Sequence, residues 1–428
     1  MKSATAIKKA WITVLLPFIL LAAFSSKSAA QFVQHATTST ENFHYMVYDK
    51  NVEGRIYGAV APMDGYEYPK LFISEDFGET WRLVFEWTDP YRMPGGQIWG
   101  RIMGLKPSKN SNYLYFQIDN TSSAYTNGLY RINHKTGEVK HYQLPNAENN
   151  SSLISYDVYD DAGDTVLMHT TWMLNGFILM TEIYLTHNGG ESWDFIYDFA
   201  DHDFVHMANV AFSPGNPDKL FLLRNGGISG VQAGLLISED GGKTYTEKLA
   251  GKDWGPIAFN PENPNEIIIG SHMTSGTLTP IQHLMRSYDG GKTWEEIELE
   301  YSNFIYNYFT DIEYDPHDPN RIIVIEENQI FITDDGFKTY QNLMPSDYMF
   351  GQYASINPFN TDEMLIGIDG ASVRHTLDRC QSWDMVNASR TSYGCTSLKL
   401  DGSPSPTITY VIDGQLHTLV GGEKGEDG

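Results

Sequence analysis

Cysteine is nearly missing: two residues in a chain of 428 cannot build a disulfide-stapled scaffold, and neither has a Cys-x-x-Cys neighbour that would support redox catalysis. Positive charge is also scarce. Twenty-nine Lys and Arg stand against 54 Asp and Glu, a formal charge of −25, which argues against nucleic acid and anionic membrane surfaces as partners. No nucleophile-elbow Gly-x-Ser-x-Gly and no phosphate-binding glycine loop occurs. Apolar runs are short as well. The only substantial one is Ile12 to Phe24, well below the roughly 20 residues that a bilayer span needs.

That run follows Lys2, Lys8 and Lys9 and ends in Ser28-Ala29-Ala30, the pattern of a secretory signal with a small-residue cleavage site. The expected domains are a signal peptide over 1–30, one folded unit over 31–420 and a flexible acidic tail over 421–428. A mature chain from Gln31 loses four lysines (2, 8, 9 and 27) and carries −29. The reading is a secreted or extracytoplasmic monomer, at the cell surface or in the periplasm, with no transmembrane segment. Cys380 and Cys395 are then a disulfide candidate, with two buried thiols as the alternative.

What is present in abundance is repetition. SEDFGETW at 74–81, SEDGGKTY at 238–245 and SYDGGKTW at 287–294 share one pattern, and THNGGESW at 186, TDDGFKTY at 333 and TLDRCQSW at 376 are looser copies. NHKTGEVK at 133 keeps only Gly137 of it. Upstream of four copies lie paired apolar stretches joined by an Asn/Pro turn, such as VAFSPGNPDKLFLL at 210–223 and IAFNPENPNEIIIG at 257–270. Each repeat thus reads strand, Asn-Pro turn, strand, loop, strand, Asp-containing turn, strand. Spacings of 43 to 59 residues between successive copies suit a four-stranded propeller blade.

The Ser/Thr-x-Asp-x-Gly-x-Thr/Ser-Trp/Tyr pattern resembles the Asp-box, or BNR repeat, of sialidases, sortilin-type receptors, xyloglucan-active hydrolases and photosystem assembly factors. The resemblance implies an all-β fold, a single propeller of four-stranded antiparallel blades. Its acids are turn staples, with glycine supplying a positive φ and the aromatic ring filling the gap between blades. Seven turn positions, plus three strands after the seventh (396–400, 407–412 and 415–420), favour eight blades, closed by an N-terminal strand at 31–35 pairing with the C-terminal blade. Seven is the alternative if the last strands pack irregularly.

The sialidase Arg-Ile/Leu-Pro motif is missing, because the one post-signal arginine before Ser74 is Arg55, followed by Ile56 and Tyr57. The chain also lacks the second propeller of xyloglucan-active enzymes and the cysteine-rich module of sortilin-type receptors.

If the Asp boxes and Asn-Pro turns share one face, function belongs on the other. Its loops and strand ends carry Tyr66, Trp99, Trp172, Trp254 and Tyr308, whose rings suit sugar stacking, and Arg101 and Arg224, which suit a carboxylate. Asp201, His202, Asp203 and His206 form the densest polar cluster, of which His202, Asp203 and His206 are the candidate acid/base residues, with His169, His272 and His283 on the same expected rim. The functional expectation is a propeller binding an extracellular polysaccharide, with hydrolase- or lyase-like activity. The alternative is a non-catalytic scaffold holding a protein. No cofactor is expected; a structural cation such as calcium is compatible with the acidic surface.

Overall fold

The computed structural model describes residues 43–386 except 61–67, 91, 95, 97, 99, 120–123, 175–177, 199–205, 226–232, 273–281, 302–307, 344–350 and 369–371, and a hairpin over 407–420 apart from 413–414. The signal peptide, the strand at 31–35, the strand at 396–400 and the acidic tail lie outside the described residues.

Seven four-stranded antiparallel sheets follow one another along the chain. Blade 1 is β1(Phe43–Tyr48), β2(Ile56–Val60), β3(Lys70–Ser74) and β4(Arg82–Glu86). Blade 2 is β5(Arg101–Pro107), β6(Leu114–Asp119), β7(Gly128–Ile132) and β8(Val139–Gln143), and blade 3 is β9(Ser152–Val158), β10(Val166–Leu174), β11(Ile178–Thr186) and β12(Asp194–Asp198). Blade 4 is β13(His206–Ser213), β14(Asn216–Asn225), β15(Gly234–Ser238) and β16(Thr246–Lys248), and blade 5 is β17(Trp254–Phe259), β18(Ile267–Ser271), β19(Leu284–Ser287) and β20(Glu295–Ile297). Blade 6 is β21(Phe309–Tyr314), β22(Ile322–Glu326), β23(Ile330–Thr333) and β24(Gln341–Leu343), and blade 7 is β25(Gly351–Ile356), β26(Met364–Ile368), β27(Ser372–Thr376) and β28(Asp384–Met385).

The burial gradient follows from this layering. The second and third strands are sandwiched on both faces and read as apolar, β-branched runs, such as Ile322-Ile323-Val324-Ile325, all buried. The outermost strands are short and largely exposed, as in Thr246-Glu247-Lys248.

The expected eighth blade does not form. Blade 1 already owns four strands, and its β1 and β2 pack directly on blade 7: Phe43, Met46, Tyr48 and Ile56 share one core with Leu365 and Val373. The Tyr353 hydroxyl accepts the Met46 amide at 2.7 Å, the Ser355 hydroxyl accepts the Tyr48 amide at 3.0 Å, and Tyr45 stacks on Tyr353 with centroids 4.1 Å apart. With that seam filled, closure by an N-terminal strand completing a C-terminal blade has no place. The strands at Thr407–Ile412 and Gln415–Val420 pair with each other in a separate two-stranded sheet.

The repeated motif behaves as a turn staple. In blade 4 the Ser238 hydroxyl accepts the Gly242 amide at 2.8 Å, while Asp240 accepts the Thr244 amide at 2.8 Å and its hydroxyl at 2.7 Å. Those Thr244 bonds hold the Asp240 carboxyl down at about 2. The same set recurs in blades 1, 5, 6 and 7 around Asp76, Asp289, Asp335 and Asp378, and in blade 3 Asn188 replaces the acid. The fourth-position amide also donates to the first turn of its own blade, as in Gly241 to the Asp218 carbonyl at 2.8 Å and Gly290 to that of Asn265 at 2.9 Å. Box turns and Asn-Pro turns therefore share one face.

The fifth position sits against the preceding blade with a positive φ, 85° at Gly242 and 92° at Gly291. A Cβ on Gly291 would meet Ile237 Cδ1 at 2.7 Å. Phe337 and Cys380 occupy this position with φ of 66° and 63°, and their side chains join the cores between blades instead. Cys380 is a buried free thiol, pushed up to about 12 by burial, and Cys395 lies outside the described residues. Blade 2 keeps only an Asx turn on Asn133 and a Gly137 φ of 76°. Its junction with blade 1 is a buried polar knot in which Asp49 accepts bonds from Arg55, Tyr57 and Ser111.

Two substitutions test this architecture. Tyr353→Phe strands the buried Met46 amide at the closing seam, and a loss of about 1–3 kcal/mol in denaturant unfolding is expected; no loss would remove the seam from the closure. Gly291→Ala forces both the left-handed backbone and the Ile237 contact, with an expected cost of about 1–3 kcal/mol, checked by the same measurement.

Candidate functional site

On the face opposite the boxes, inner strands begin and second strands end, so each blade presents the first residues of one and the last of the other. In blades 4 to 6 these ends form a linked polar arc. Asn225, which ends β14, bonds through Nδ2 to His272 Nδ1 at 3.1 Å. The His272 amide donates to the Asp253 carbonyl, and its ring lies 5.1 Å from that of Tyr308. The Tyr308 carbonyl accepts the Glu327 amide at 3.2 Å. Gln282, just before β19, donates through Nε2 to Glu326 Oε1 at 2.5 Å.

The arc is buried: Asn225 and Gln282 are each 6% exposed, Glu326 is fully buried and Glu327 is 3% exposed. Burial pushes Glu326 up to about 7, opposed by the Gln282 hydrogen bond and aided by the charge of Glu327. A carboxyl in this state gains or loses its proton near neutrality, which suits proton exchange and hydrogen bonding to neutral groups.

A second polar group lies on blade 3. Asn146 Nδ2 bonds to the Thr170 hydroxyl at 2.9 Å and to Glu182, which also accepts the Tyr184 hydroxyl at 2.8 Å. Nearby on β10, His169 is wholly buried, with Nδ1 3.3 Å from the Ser155 hydroxyl.

The described members of the expected site are dispersed over blades 2 to 6. Tyr66, Trp99, His202 and Asp203 lie outside the described residues. His206 opens β13, where its backbone pairs with Asn225, but its side chain also lies outside them. Trp254 is wholly buried with its indole N–H on the Leu249 carbonyl at 3.1 Å, so it fills the core. Trp172 lies within β10, in a stretch expected to be loop, and is partly exposed. Tyr308 belongs to the arc. Arg101 opens β5 and is exposed. Arg224 sits within β14, 8% exposed, with Nη2 on Glu247, and His283 is bonded to Glu296 at 2.5 Å.

Sequence reading missed Asn225, Gln282, Glu326 and Glu327. A signal existed for the last two, since an acidic pair following Ile-Ile-Val-Ile places carboxylates at the end of an apolar strand. Among the described residues no group of three His, Cys, Asp or Glu side chains is placed to hold a metal, and no helix is long and apolar enough to cross a membrane.

Comparison with known proteins agrees with this architecture. The family described as "Sortilin, neurotensin receptor 3" (Sortilin-Vps10) matches residues 181–329, from the third strand of blade 3 to the end of the arc. A probable oligoxyloglucan-reducing end-specific xyloglucanase of Neosartorya fischeri is 28% identical over 107 residues, 23% of this chain and 12% of that protein. Among solved structures, an ancestral GH74 enzyme superposes with a TM-score of 0.50 at 16% identity, covering 86% of this chain and 49% of its own. An oligogalacturonate lyase of Vibrio parahaemolyticus gives a TM-score of 0.54 at 11% identity, covering 80% of this chain and 92% of its own. The chain thus spans a small fraction of the matched xyloglucanase and about half of the GH74 enzyme, and at these identities the structural likenesses establish the fold alone.

The Glu326 carboxyl yields a pH test. Its folded value lies above its ordinary 4.5, so its contribution to stability is full below about 4.5 and is lost as pH rises through about 7. Glu326→Gln removes that loss. Its melting temperature should fall less between pH 5 and pH 8 than that of the wild type; identical falls would mean that Glu326 is not the titrating group.

Proposed function

We propose that this Asp-box propeller of the sialidase, sortilin and xyloglucanase type binds a neutral, hydroxyl-rich polysaccharide on the face opposite its boxes, outside the cytoplasm. The observation that carries the reading is the arc across blades 4 to 6, where amide, imidazole, phenol and carboxyl groups from three blades meet at the rim. Such groups hydrogen-bond to sugar hydroxyls, and partly exposed aromatic rings on the same rim, Tyr308 in the arc and Trp172 on blade 3, suit sugar stacking.

Charge decides between glycan classes. A uronate needs a cation, and the arginine next to the arc, Arg224, faces blade 3 and is spent on Glu247, while Glu327, whose charge helps to raise Glu326, adds negative character. A polyanionic chain would meet like charge there, and each such juxtaposition is unfavourable. Arg101 lies on blade 2, outside the arc. The matched xyloglucanase therefore offers a better guide to ligand chemistry than the oligogalacturonate lyase.

The test is affinity electrophoresis and calorimetry of the purified protein against xyloglucan and other neutral polysaccharides, with polygalacturonate as the acidic comparator. Binding to a neutral polymer, weakened by Trp172→Ala, is the expected result. Binding confined to polygalacturonate, or to no glycan in the panel, would overturn the reading.

A further inference from the structure

Buried side-chain polar atoms almost always find a partner, yet the amide oxygens of Asn225 and Gln282 in the arc do not. Asn225 and Gln282 each spend the amide nitrogen on a neighbour, His272 and Glu326 respectively, and leave the carbonyl oxygen buried without a hydrogen bond. Both residues lie at the rim between blades, Asn225 at the blade 4–5 junction and Gln282 at the blade 5–6 junction, and both belong to a network tied to the backbone of blade 6 through Tyr308. An unsatisfied buried amide oxygen costs about 1–3 kcal/mol, so two of them in one arc are a standing destabilisation that a bound donor would relieve.

We propose that Asn225 and Gln282 are the hydrogen-bonding pair of a saccharide subsite on blades 4 to 6, accepting hydroxyl donors of an uncharged sugar unit. The inference rests on the glycan reading of this face and assigns it a place and a recognition chemistry. A hydroxyl is the group the site calls for. It donates to an amide oxygen, and it also accepts from an amide nitrogen, so it satisfies these side chains in either orientation of the amide against His272 or Glu326. An ammonium ligand would leave the opposite orientation unsatisfied, and an anion would be repelled by Glu327. The aromatic Tyr308, tilted at 46° against His272, adds an apolar surface of the kind a sugar ring packs on.

The experiment uses the full-length protein, a xyloglucan oligosaccharide as probe, and the variants Asn225→Leu and Gln282→Met, which keep volume and remove the unsatisfied oxygen. A binding role predicts affinity weakened roughly tenfold or more in each variant, with a melting temperature equal to or above that of the wild type, because replacing a buried unpaired polar group by an apolar one of like shape is nearly neutral or stabilising. Wild-type affinity in both variants would overturn the assignment.

Hydrogen exchange on the wild type gives a readout independent of variant folding. The oligosaccharide should protect amides around 225 and 282–286, and protection confined to other blades would overturn the subsite. A wild type that binds acidic but no neutral oligosaccharide defeats the reading of the whole face, whereas a wild type that binds while the variants and the protected amides do not respond defeats only the subsite.

Discussion

Every blade of a propeller leaves one backbone edge of its innermost strand without a strand partner, and the rest of this molecule depends on how those edges are satisfied. An unpaired buried amide is costly and an open edge invites aggregation. Here the preceding blade supplies side-chain acceptors. Asp157 of blade 3 takes the Phe212 amide of blade 4 at 2.9 Å, and Asp311 and Glu313 of blade 6 take the Ala354 and Ile356 amides of blade 7 at 2.8 and 2.9 Å. Tyr353 and Ser355 of blade 7 then serve Met46 and Tyr48 of blade 1. The seventh blade is thus bonded to the first as blade 3 is to blade 4 and blade 6 to blade 7. The arrangement has an electrostatic cost: burial and the nearby Glu313 charge push Asp311 up to about 7.

The two faces use their polar groups differently. On the box face, nearly every donor and acceptor is committed locally: serine or threonine to the fifth amide, the acid to the seventh residue, the fourth amide to the neighbouring turn. A turn so completely satisfied has little left to offer a ligand, and it recurs almost unchanged around the ring. The opposite rim is irregular. Its polar groups bridge blades rather than closing turns, and it differs from one junction to the next.

How much of this was legible follows from the range of the interactions. The Asp box is local, its acceptors and donors lying within seven residues, so Ser238, Asp240, Gly242 and Thr244 announce the turn by their spacing alone. The box face was legible for the same reason. The blade count was not, because closure rests on Tyr353 and Ser355 meeting Met46 and Tyr48 across about 307 positions of sequence, and nothing in either segment names the other. Extra strands near the C-terminus suggested an eighth sheet, but a strand count cannot say whether the seam is already full. The site was hidden similarly: Gln282 and Glu326 are 44 residues apart, and each looks unremarkable alone.

Arg224 and Asn225 show why composition at the rim misleads. Along β14, Leu220 and Leu222 pack toward blade 3 with Leu167 and Ile183, while Phe221 and Leu223 pack toward blade 5 with Ile267 and Ile269. The strand period of two then sends adjacent residues to opposite faces. Arg224, the more conspicuous residue, falls on the blade 3 side, where Glu247 neutralises it. Asn225 falls on the blade 5 side, where it meets His272. A charge-based reading follows the arginine toward an acidic ligand, but strand geometry puts the amide, not the guanidinium, into the polar arc. With Glu326 held neutral below about pH 7 by its own burial, the arc then adds a protonated carboxyl to its amides, a set of groups that both donates and accepts hydrogen bonds as hydroxyl groups do.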